Sequence, residues 1–487
     1  MNERTPLQQQ ADAFDVVVVG GGPGGYVAAI RAAQHGLRVA LVERAELGGV
    51  CANWGCIPTK AMLHGADTAH AIAQASRVGF DVAGVVFDMA SLVAYSRGVV
   101  ARLTGGIASL MTANGIEVVR GTATIPGKGL VAVALTTGGS RELRADHTIL
   151  ATGARPQAIP GAVPDGDRVW TSTDALRPSD RPASLVVIGS GAIGVEFASL
   201  YRDLGTEVTL LEAAPRILPV EDEDTSRFVE KQFAARGIRV FTGASVGGVS
   251  PDADGVDTVF RDNGGAEHTV RSERVLVATG VAANSEGLGL EALGVRIERG
   301  FIVTDEWCRT GVAGLYAIGD VAGAPCLAHK ASHEALVCVD RIVGVPGIHP
   351  LDRDFVPGCT YSRPQVASLG YTEAQARATG REIQVGTFDL SANGKALAAD
   401  EATGFVKTIF DATTGELLGA HIVGPEATEL IAGFGIAHDL EATAESLAET
   451  IFAHPTVSEA MHESVLASLG RALHWPPART PRMLARV

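Results

Sequence analysis

One pattern is written twice in this chain, and it restricts the fold more than any other feature. Asp15-Val16-Val17-Val18-Val19 reads as a fully buried parallel strand. Gly20-Gly21-Gly22-Pro23-Gly24-Gly25 follows at once, then a helical stretch from Tyr26 to Gly36 and a second strand, Arg38 to Val42, that ends in Glu43. Leu185 to Ile188, Gly189-Ser190-Gly191-Ala192-Ile193-Gly194, a helix from Val195 and a strand from Val208 to Leu211 ending in Glu212 repeat it. In both copies the glycines fit G-x-G-x-x-G. Gly20 and Gly189 make the tight turn, Gly22 and Gly191 let the backbone approach a pyrophosphate, and Gly25 and Gly194 let helix and strand pack. The helix N-terminus adds partial positive charge for the phosphates, and Glu43 or Glu212 stands where an acid holds a ribose hydroxyl. Each copy closes on Ala-Thr-Gly, at Ala151-Thr152-Gly153 and Ala278-Thr279-Gly280, which adds Thr152, Gly153 and Gly280 to the expected nucleotide contacts. An α/β chain with two Rossmann-like dinucleotide-binding domains follows. A carboxylate at position 212 accepts the 2′-hydroxyl of NAD and repels the 2′-phosphate of NADP. Arg216 lies close enough to meet a phosphate, but Glu212 holds the decisive position, so NAD is the expected second ligand.

Between the first acid and the rest of its domain stand Gly48-Gly49-Val50-Cys51-Ala52-Asn53-Trp54-Gly55-Cys56-Ile57-Pro58-Thr59-Lys60. On a regular helix, residues five apart have Cα atoms roughly 8–9 Å from each other, and a disulfide tolerates no more than about 7 Å. A bond between these sulfurs therefore needs a helix that is distorted or only starting. Pro58 fits a helix start. Cys56 would then lie beside a helix N-terminus, which lowers a thiol's pKa. Zinc binding, a permanent disulfide and two inert thiols are the alternatives. Zinc would want further Cys or His pairs at ligand spacing, and none stand near. A permanent disulfide suits an exported chain. Redox catalysis is the expectation. A disulfide and a nicotinamide exchange electrons best through a flavin, which makes FAD the expected first ligand.

With 487 residues, 46% of them apolar, the chain has room for several cores. A net charge of −15 argues against nucleic acid as partner. The first thirteen residues are polar and do not read as a signal peptide, and no run of about 18 apolar residues suggests a membrane span. The cytoplasm is the expected address. Cys308, Cys326, Cys338 and Cys359 are scattered and are expected to be structural, since free cysteine packs as a small hydrophobe.

The stretch from Gly48 to Lys60 resembles the active-site signature of the class I flavoprotein disulfide reductases, in the dihydrolipoamide dehydrogenase branch. The resemblance runs from about residue 14 to 474. It implies that Cys56 faces the flavin as the charge-transfer thiol, that Cys51 exchanges disulfides with substrate, and that Lys60 lies near the flavin's reactive nitrogen. Glu196, a charge on a helix set to pack against a sheet, would pair with Lys60, in keeping with the need of a buried charge for a partner. Gly121 would touch the adenosine part of FAD. Gly319-Asp320-Val321 through Leu327-Ala328-His329-Lys330-Ala331 resembles the family's second FAD motif, in which Asp320 holds the ribityl chain and the Ala328 backbone meets the flavin ring. His329 and His333 carry no assignment. Pro215 to Pro219 matches the family's Pro-Arg-Ile-Leu-Pro segment. After Gly280, however, Val281-Ala282-Ala283-Asn284 replaces the Arg-x-Pro-Asn of many relatives, which removes an arginine from that position.

Near the end stands His454-Pro455-Thr456-Val457-Ser458-Glu459. His454 precedes proline, a bond able to take the cis form, and Glu459 could orient its ring. The segment resembles the family's His-Pro-Thr motif, whose histidine is the acid–base for the interchange thiol and acts across a dimer interface. His462 is expected on a helix surface. The expected divisions are an FAD domain with the redox disulfide (1–155), an NAD domain (156–280), a central segment completing the FAD site (281–355) and an α+β interface domain (356–487). In the last, strands Ile383–Phe388, Phe405–Phe410 and Leu417–Val423 alternate with helices Thr428–His438 and Ser458–Leu469. The implied activity is oxidation of protein-bound dihydrolipoamide with reduction of NAD⁺, by a homodimer serving a 2-oxo-acid dehydrogenase or glycine-cleavage complex. Glutathione reductases prefer NADPH, against Glu212. Mercuric reductases carry a C-terminal cysteine pair, and no cysteine follows Cys359. A mainly structural role in such a complex is the remaining alternative.

Overall fold

The computed structural model describes residues 12–476. Its first sheet is organised on the strand Ala13–Val19, flanked in parallel by Val39–Glu43 and by Ser140–Leu150, with Leu315–Ala317 added in parallel beyond the latter. Val16, Val17 and Val18 have no exposure at all, which explains why the run is apolar without alternation: helices cover the face of Val16 and Val18, and strands from Glu117 to Leu150 cover the face of Val17 and Val19. The helix after the glycine loop spans Pro23–Gln34 and starts earlier than Tyr26, because Pro23 at its first position is pre-set for a helix and lacks only an N–H that would be orphaned anyway.

Ile116 to Ala134 reads in the sequence as short strands with glycine turns, and here the chain differs. Glu117–Gly127, Leu130–Leu135 and Ser140–Leu150 form a meander whose outer strands each run 11 residues. Alternate burial along Glu117–Gly127 shows the cause: one face packs and the other meets water. Ser140–Leu150 is antiparallel to Leu130–Leu135 at its start and parallel to Ala13–Val19 at its end, so it joins the meander to the nucleotide sheet.

The second sheet repeats the first in five parallel strands, ordered Arg239–Phe241, Glu207–Leu211, Ser184–Ile188, Arg274–Val277 and Val169–Trp170. Its helix spans Ala192–Asp203, again beginning at the glycine loop rather than at Val195. Val281–Ala283, where the family arginine is missing, pairs antiparallel with Ala154–Pro156. The third sheet is antiparallel, ordered Gly358–Thr360, Gln365–Gly370, Leu417–Gly424, Phe405–Asp411 and Ile383–Asp389, and helices Ala427–Asp439 and Glu459–Ser468 pack on it.

A buried ammonium fastens the second nucleotide unit to this third sheet. Lys407 Nζ meets Asp222 at 2.9 Å, Asp224 at 2.7 Å and Glu373 at 2.8 Å. Beside it Glu221 is buried, with Oε1 accepting from Ser368 at 3.2 Å and Oε2 without a hydrogen-bond partner among the described residues. Burial pushes its pKa up to about 7, with Asp222 adding to the rise. A carboxyl raised in the folded state holds a proton that the unfolded chain releases, so its contribution is complete below about pH 4.5 and is lost as pH rises towards 7. Glu221→Gln should remove that loss. In urea melts the variant should gain roughly 3 kcal/mol on wild type between pH 4.5 and pH 8; a difference that does not change with pH would show that Glu221 is charged in the folded state.

Candidate active site

Both glycine loops have the same construction. A Cβ on Gly20 would lie 2.2 Å from Ala151 O, and one on Gly25 1.8 Å from Gly20 O; Gly189 and Gly194 meet Ala278 O at 2.4 Å and Gly189 O at 1.9 Å. These four positions admit no side chain because backbone passes against backbone. Gly22 and Gly191 differ. A Cβ on Gly22 would find only Gly49 Cα, at 3.9 Å, and one on Gly191 nothing within 4 Å. The middle glycine of each loop thus opens onto free space at a helix N-terminus, the cradle that a pyrophosphate requires. Glu43 accepts from Gly21 N at 2.6 Å and Ala45 N at 2.7 Å, and Glu212 from Ser190 N at 2.8 Å and Ala214 N at 2.7 Å. The acids are held against their own loops by the same two backbone donors, and Ser190 Oγ adds a third bond to Glu212 at 2.6 Å. Arg216 donates to the Pro219 and Glu221 carbonyls at 3.3 and 3.5 Å, which turns its guanidinium towards its own turn.

Gly153 and Gly280 have φ of +68° and +116°, backbone that favours glycine. Thr152 Oγ1 donates to Asn284 O at 2.8 Å and Asn284 Nδ2 to Thr152 O at 3.0 Å, so the two crossing strands are tied at the floor of the first site. Gly121 lies on Glu117–Gly127, where a Cβ would come within 2.4 Å of Ala134 O. Asp320 follows the strand Leu315–Ala317, and burial pushes its carboxyl up against the opposing charge of Lys330. Ala328 is the first residue of the helix Ala328–Val343, where N–H groups have no intrahelical acceptor. Sequence reasoning missed the pair that holds this loop. Glu334 Oε2 accepts from Gly319 N at 2.7 Å, and buried Lys330 Nζ donates to Gly319 O at 3.0 Å and Gly323 O at 2.8 Å. A Lys–Glu pair four apart on a helix face was the available signal. His329 Nε2 meets Pro357 O at 2.7 Å.

The cysteines sit on either side of a break. A short helix, Gly49–Trp54, carries Cys51; Gly55 (φ −144°, ψ −115°) interrupts it, and Cys56 opens the 19-residue helix Cys56–Gln74. The helix starts two residues before Pro58, which occupies its third position and still gives up no helical hydrogen bond. Both thiols are free, and Cys51 donates to the Cys56 sulfur. That hydrogen bond, with the charge of Lys60 one turn along, outweighs burial and lowers Cys56 to about 7; the same bond raises Cys51. Cys56 is thereby the more acidic sulfur of the pair. Cys308 and Cys338 are buried in the core and Cys326 and Cys359 half-buried.

Lys60 Nζ donates to both carboxylate oxygens of Glu196, each at 2.9 Å. Glu196 is buried on the helix Ala192–Asp203, so the pair joins the redox helix to the second nucleotide unit. Tyr361, from the third sheet's domain, was not foreseen. Its N–H donates to Glu196 Oε1 at 2.9 Å and its ring lies 4.3 Å from Lys60 Nζ. No local pattern marks a contact between residues 300 positions apart.

His454 lies elsewhere on the chain. Its side chain is 77% exposed, and Nδ1 meets Glu459 Oε1 at 2.9 Å. Glu459 Oε2 accepts from Thr456 N at 2.9 Å. Partial burial pushes Glu459 up, but the Thr456 N–H and the imidazole outweigh it and the pKa is lowered. A carboxylate only accepts, so Nδ1 carries the hydrogen and Nε2 faces outward as a base. His462 departs from expectation. It is half-buried, with Nε2 at 2.9 Å from Ala448 O and its ring stacked on Phe452 at 5.2 Å, because its helix packs beside the Ala444–Ala448 turn.

Residues 14–335 match the family model of the pyridine nucleotide-disulphide oxidoreductases, and residues 356–465 match that family's dimerisation domain. The chain belongs to this family. It is a flavoprotein oxidoreductase whose family cofactors are FAD and NAD. Its similarity to the dihydrolipoyl dehydrogenase of Zymomonas mobilis is 50% identity over 96% of this chain and all of the relative. To the dihydrolipoyl dehydrogenase of Bacillus subtilis it is 40%, over 96% of this chain and all of the relative. Among solved structures, LpdA from Mycobacterium tuberculosis superposes with a TM-score of 0.86 at 29% identity, over 92% of this chain and 98% of LpdA. The HOCl-induced flavoprotein disulfide reductase RclA from Escherichia coli gives 0.82 at 28%, over 93% and 99%. No helix among the described residues is long and apolar enough to cross a membrane.

Proposed function

We propose that the chain oxidises dihydrolipoamide to lipoamide and passes the electron pair to NAD⁺, working as a homodimer. The observation that carries this reading is a pair of free thiols on either side of the break at Gly55, with Lys60 tied to Glu196 on the helix that leaves the second glycine loop. Gly20, Gly22, Gly25, Glu43, Lys60, Gly121, Thr152, Gly153, Asp320 and Ala328 are the residues that would hold FAD. Gly189, Gly191, Gly194, Glu196, Glu212 and Gly280 are those for NAD. FAD, when bound, carries two electrons from the thiol pair to the nicotinamide.

In the oxidised chain Cys51 and Cys56 share a bond. His454 Nε2 of one subunit takes a proton from a substrate thiol bound to the other. The substrate thiolate attacks Cys51, the Cys51–Cys56 bond breaks, and Cys56 leaves as a thiolate that Lys60 and the helix N-terminus stabilise. The second substrate thiol then attacks its own mixed-disulfide sulfur. Lipoamide departs, Cys51 takes the proton held on His454, and His454 takes the proton of the second substrate thiol. The chain now holds the two electrons that the substrate lost. Re-forming the Cys51–Cys56 bond returns them, with NAD⁺ becoming NADH and one proton released.

The substrate belongs to a lipoyl group on another protein of a 2-oxo-acid dehydrogenase or glycine-cleavage assembly, and the scattered free thiols suit a reducing cytoplasm. Domain limits at 155, 280 and 355 go with this reading: the first, second and last units each have a main sheet, and the central segment adds Leu315–Ala317 to the first. The test is anaerobic reduction of NAD⁺ by dihydrolipoamide, with NADP⁺ as control. Fast turnover with NAD⁺ and slow turnover with NADP⁺ is expected. Bleaching of the flavin by NADH with no response to dihydrolipoamide would overturn the substrate, and equal use of both nucleotides would overturn the role of Glu212.

A further inference from the structure

Lys60 and Cys56 lie four residues apart on one helix face, so the position of the ammonium governs the sulfur beside it. Two Lys60 hydrogens go to Glu196. The Tyr361 ring lies against the ammonium, 4.3 Å from Nζ. The same residue's N–H holds Glu196 Oε1, so Tyr361 grips both members of the ion pair. Its own place is fixed. Thr360 and Ser362 on either side are buried, and Arg363 N donates to Ser199 Oγ at 2.9 Å while Arg363 pairs with Asp67 at 2.5 Å and Asp203 at 3.4 Å. These bonds tie the segment to the helices of both nucleotide units. The groups facing this corner are Cys51, Cys56, Lys60, Glu196, Glu221, Cys359, Glu429 and the Tyr361 phenol.

A cation over an aromatic face is attracted by the ring quadrupole, and the attraction grows as water is excluded. With the side chain of Lys60 still 31% exposed, the free ammonium would swing towards water if nothing covered it. We propose that Tyr361 is a positioning residue for the reaction: its ring, delivered by the dimerisation domain, keeps the Lys60 ammonium beside the Cys56 sulfur. The consequence is that the domain which joins two subunits also sets the reactivity of the thiolate. This rests on Cys56 being the sulfur that passes electrons on.

The experiment follows, in two-electron-reduced holoenzyme, the long-wavelength absorbance that a thiolate gives against oxidised flavin, titrated with pH. Tyr361→Phe keeps the ring and should keep the midpoint. Tyr361→Leu should raise the midpoint and lower the thiolate fraction at neutral pH roughly fivefold, with kcat falling and the KM for NAD⁺ unchanged. Phenylalanines of increasing ring fluorination at 361 preserve shape while weakening the quadrupole, so the midpoint should climb step by step even if the leucine variant fails to fold. A flat fluorination series overturns the proposal, as does a phenylalanine variant that falls as far as leucine, since the hydroxyl would then carry the effect. Cys56→Ser serves as a control on the underlying reading. If it retains turnover, that reading fails independently of Tyr361.

Discussion

Cys51→Ser should stop dihydrolipoamide-dependent NAD⁺ reduction, with a fall of at least about 10⁴-fold, as expected when a nucleophile-bearing group that cannot be replaced is removed. The substrate can transfer its electrons only through a bond between the two cysteines, and serine cannot form one. The other half of the molecule should survive. The serine hydroxyl can still donate to Cys56, whose low pKa of about 7 owes most to the hydrogen bond from residue 51. NADH should therefore bleach the flavin of the variant at a rate near wild type. Cys51→Ala tests the cause of that acidity. Losing the donor should raise the Cys56 pKa above that of the serine variant, read from the same thiolate absorbance. Turnover of the serine variant within tenfold of wild type would place the exchange reaction at another residue.

His454→Gln is expected to lower turnover by roughly 10²–10⁴-fold, the usual contribution of a general acid–base, while flavin reduction by NADH continues unchanged. Glutamine can still hydrogen-bond to Glu459 but cannot take a proton, so geometry is retained and chemistry is lost. The two dead variants together offer a sharper test. In a hybrid dimer of Cys51→Ser with His454→Gln, an active site built across the interface recovers one intact copy. Random re-association of equal amounts should then restore roughly a quarter of wild-type activity. No recovery in verified hybrid dimers would put His454 to work on its own subunit's cysteines, or remove it from catalysis.

What could be read from the residues in order divides cleanly from what could not. The paired glycine loops, the acids 22 positions on from Gly21 and Ser190, and the closing Ala-Thr-Gly are local constructions, each dictated by backbone crowding within one strand–turn–helix. They determine two nucleotide folds without reference to the rest of the chain. Cys51 and Cys56 are legible for the same reason: a break at glycine and a helix start are written in the stretch itself. Helix starts at Pro23 and Ala192 and the long meander from Glu117 to Leu150 were mis-sized because strand ends depend on which neighbour supplies the hydrogen bonds. The roles of Glu196 and His454 came through resemblance: a charge on a packing helix and a histidine before Pro455 with Glu459 five residues on are local signals that do not name a distant partner.

The sequence by itself thus determined the two glycine loops, the neighbouring cysteines and the acids Glu43 and Glu212 held against those loops, because each arises from contacts within a few tens of residues. Only the tertiary structure decided how three units meet at one carboxylate. Lys60 comes from the first, Glu196 from the second and Tyr361 from the third. A buried charge must find its partners wherever the packed domains bring them, and the distance along the chain leaves no trace of that requirement.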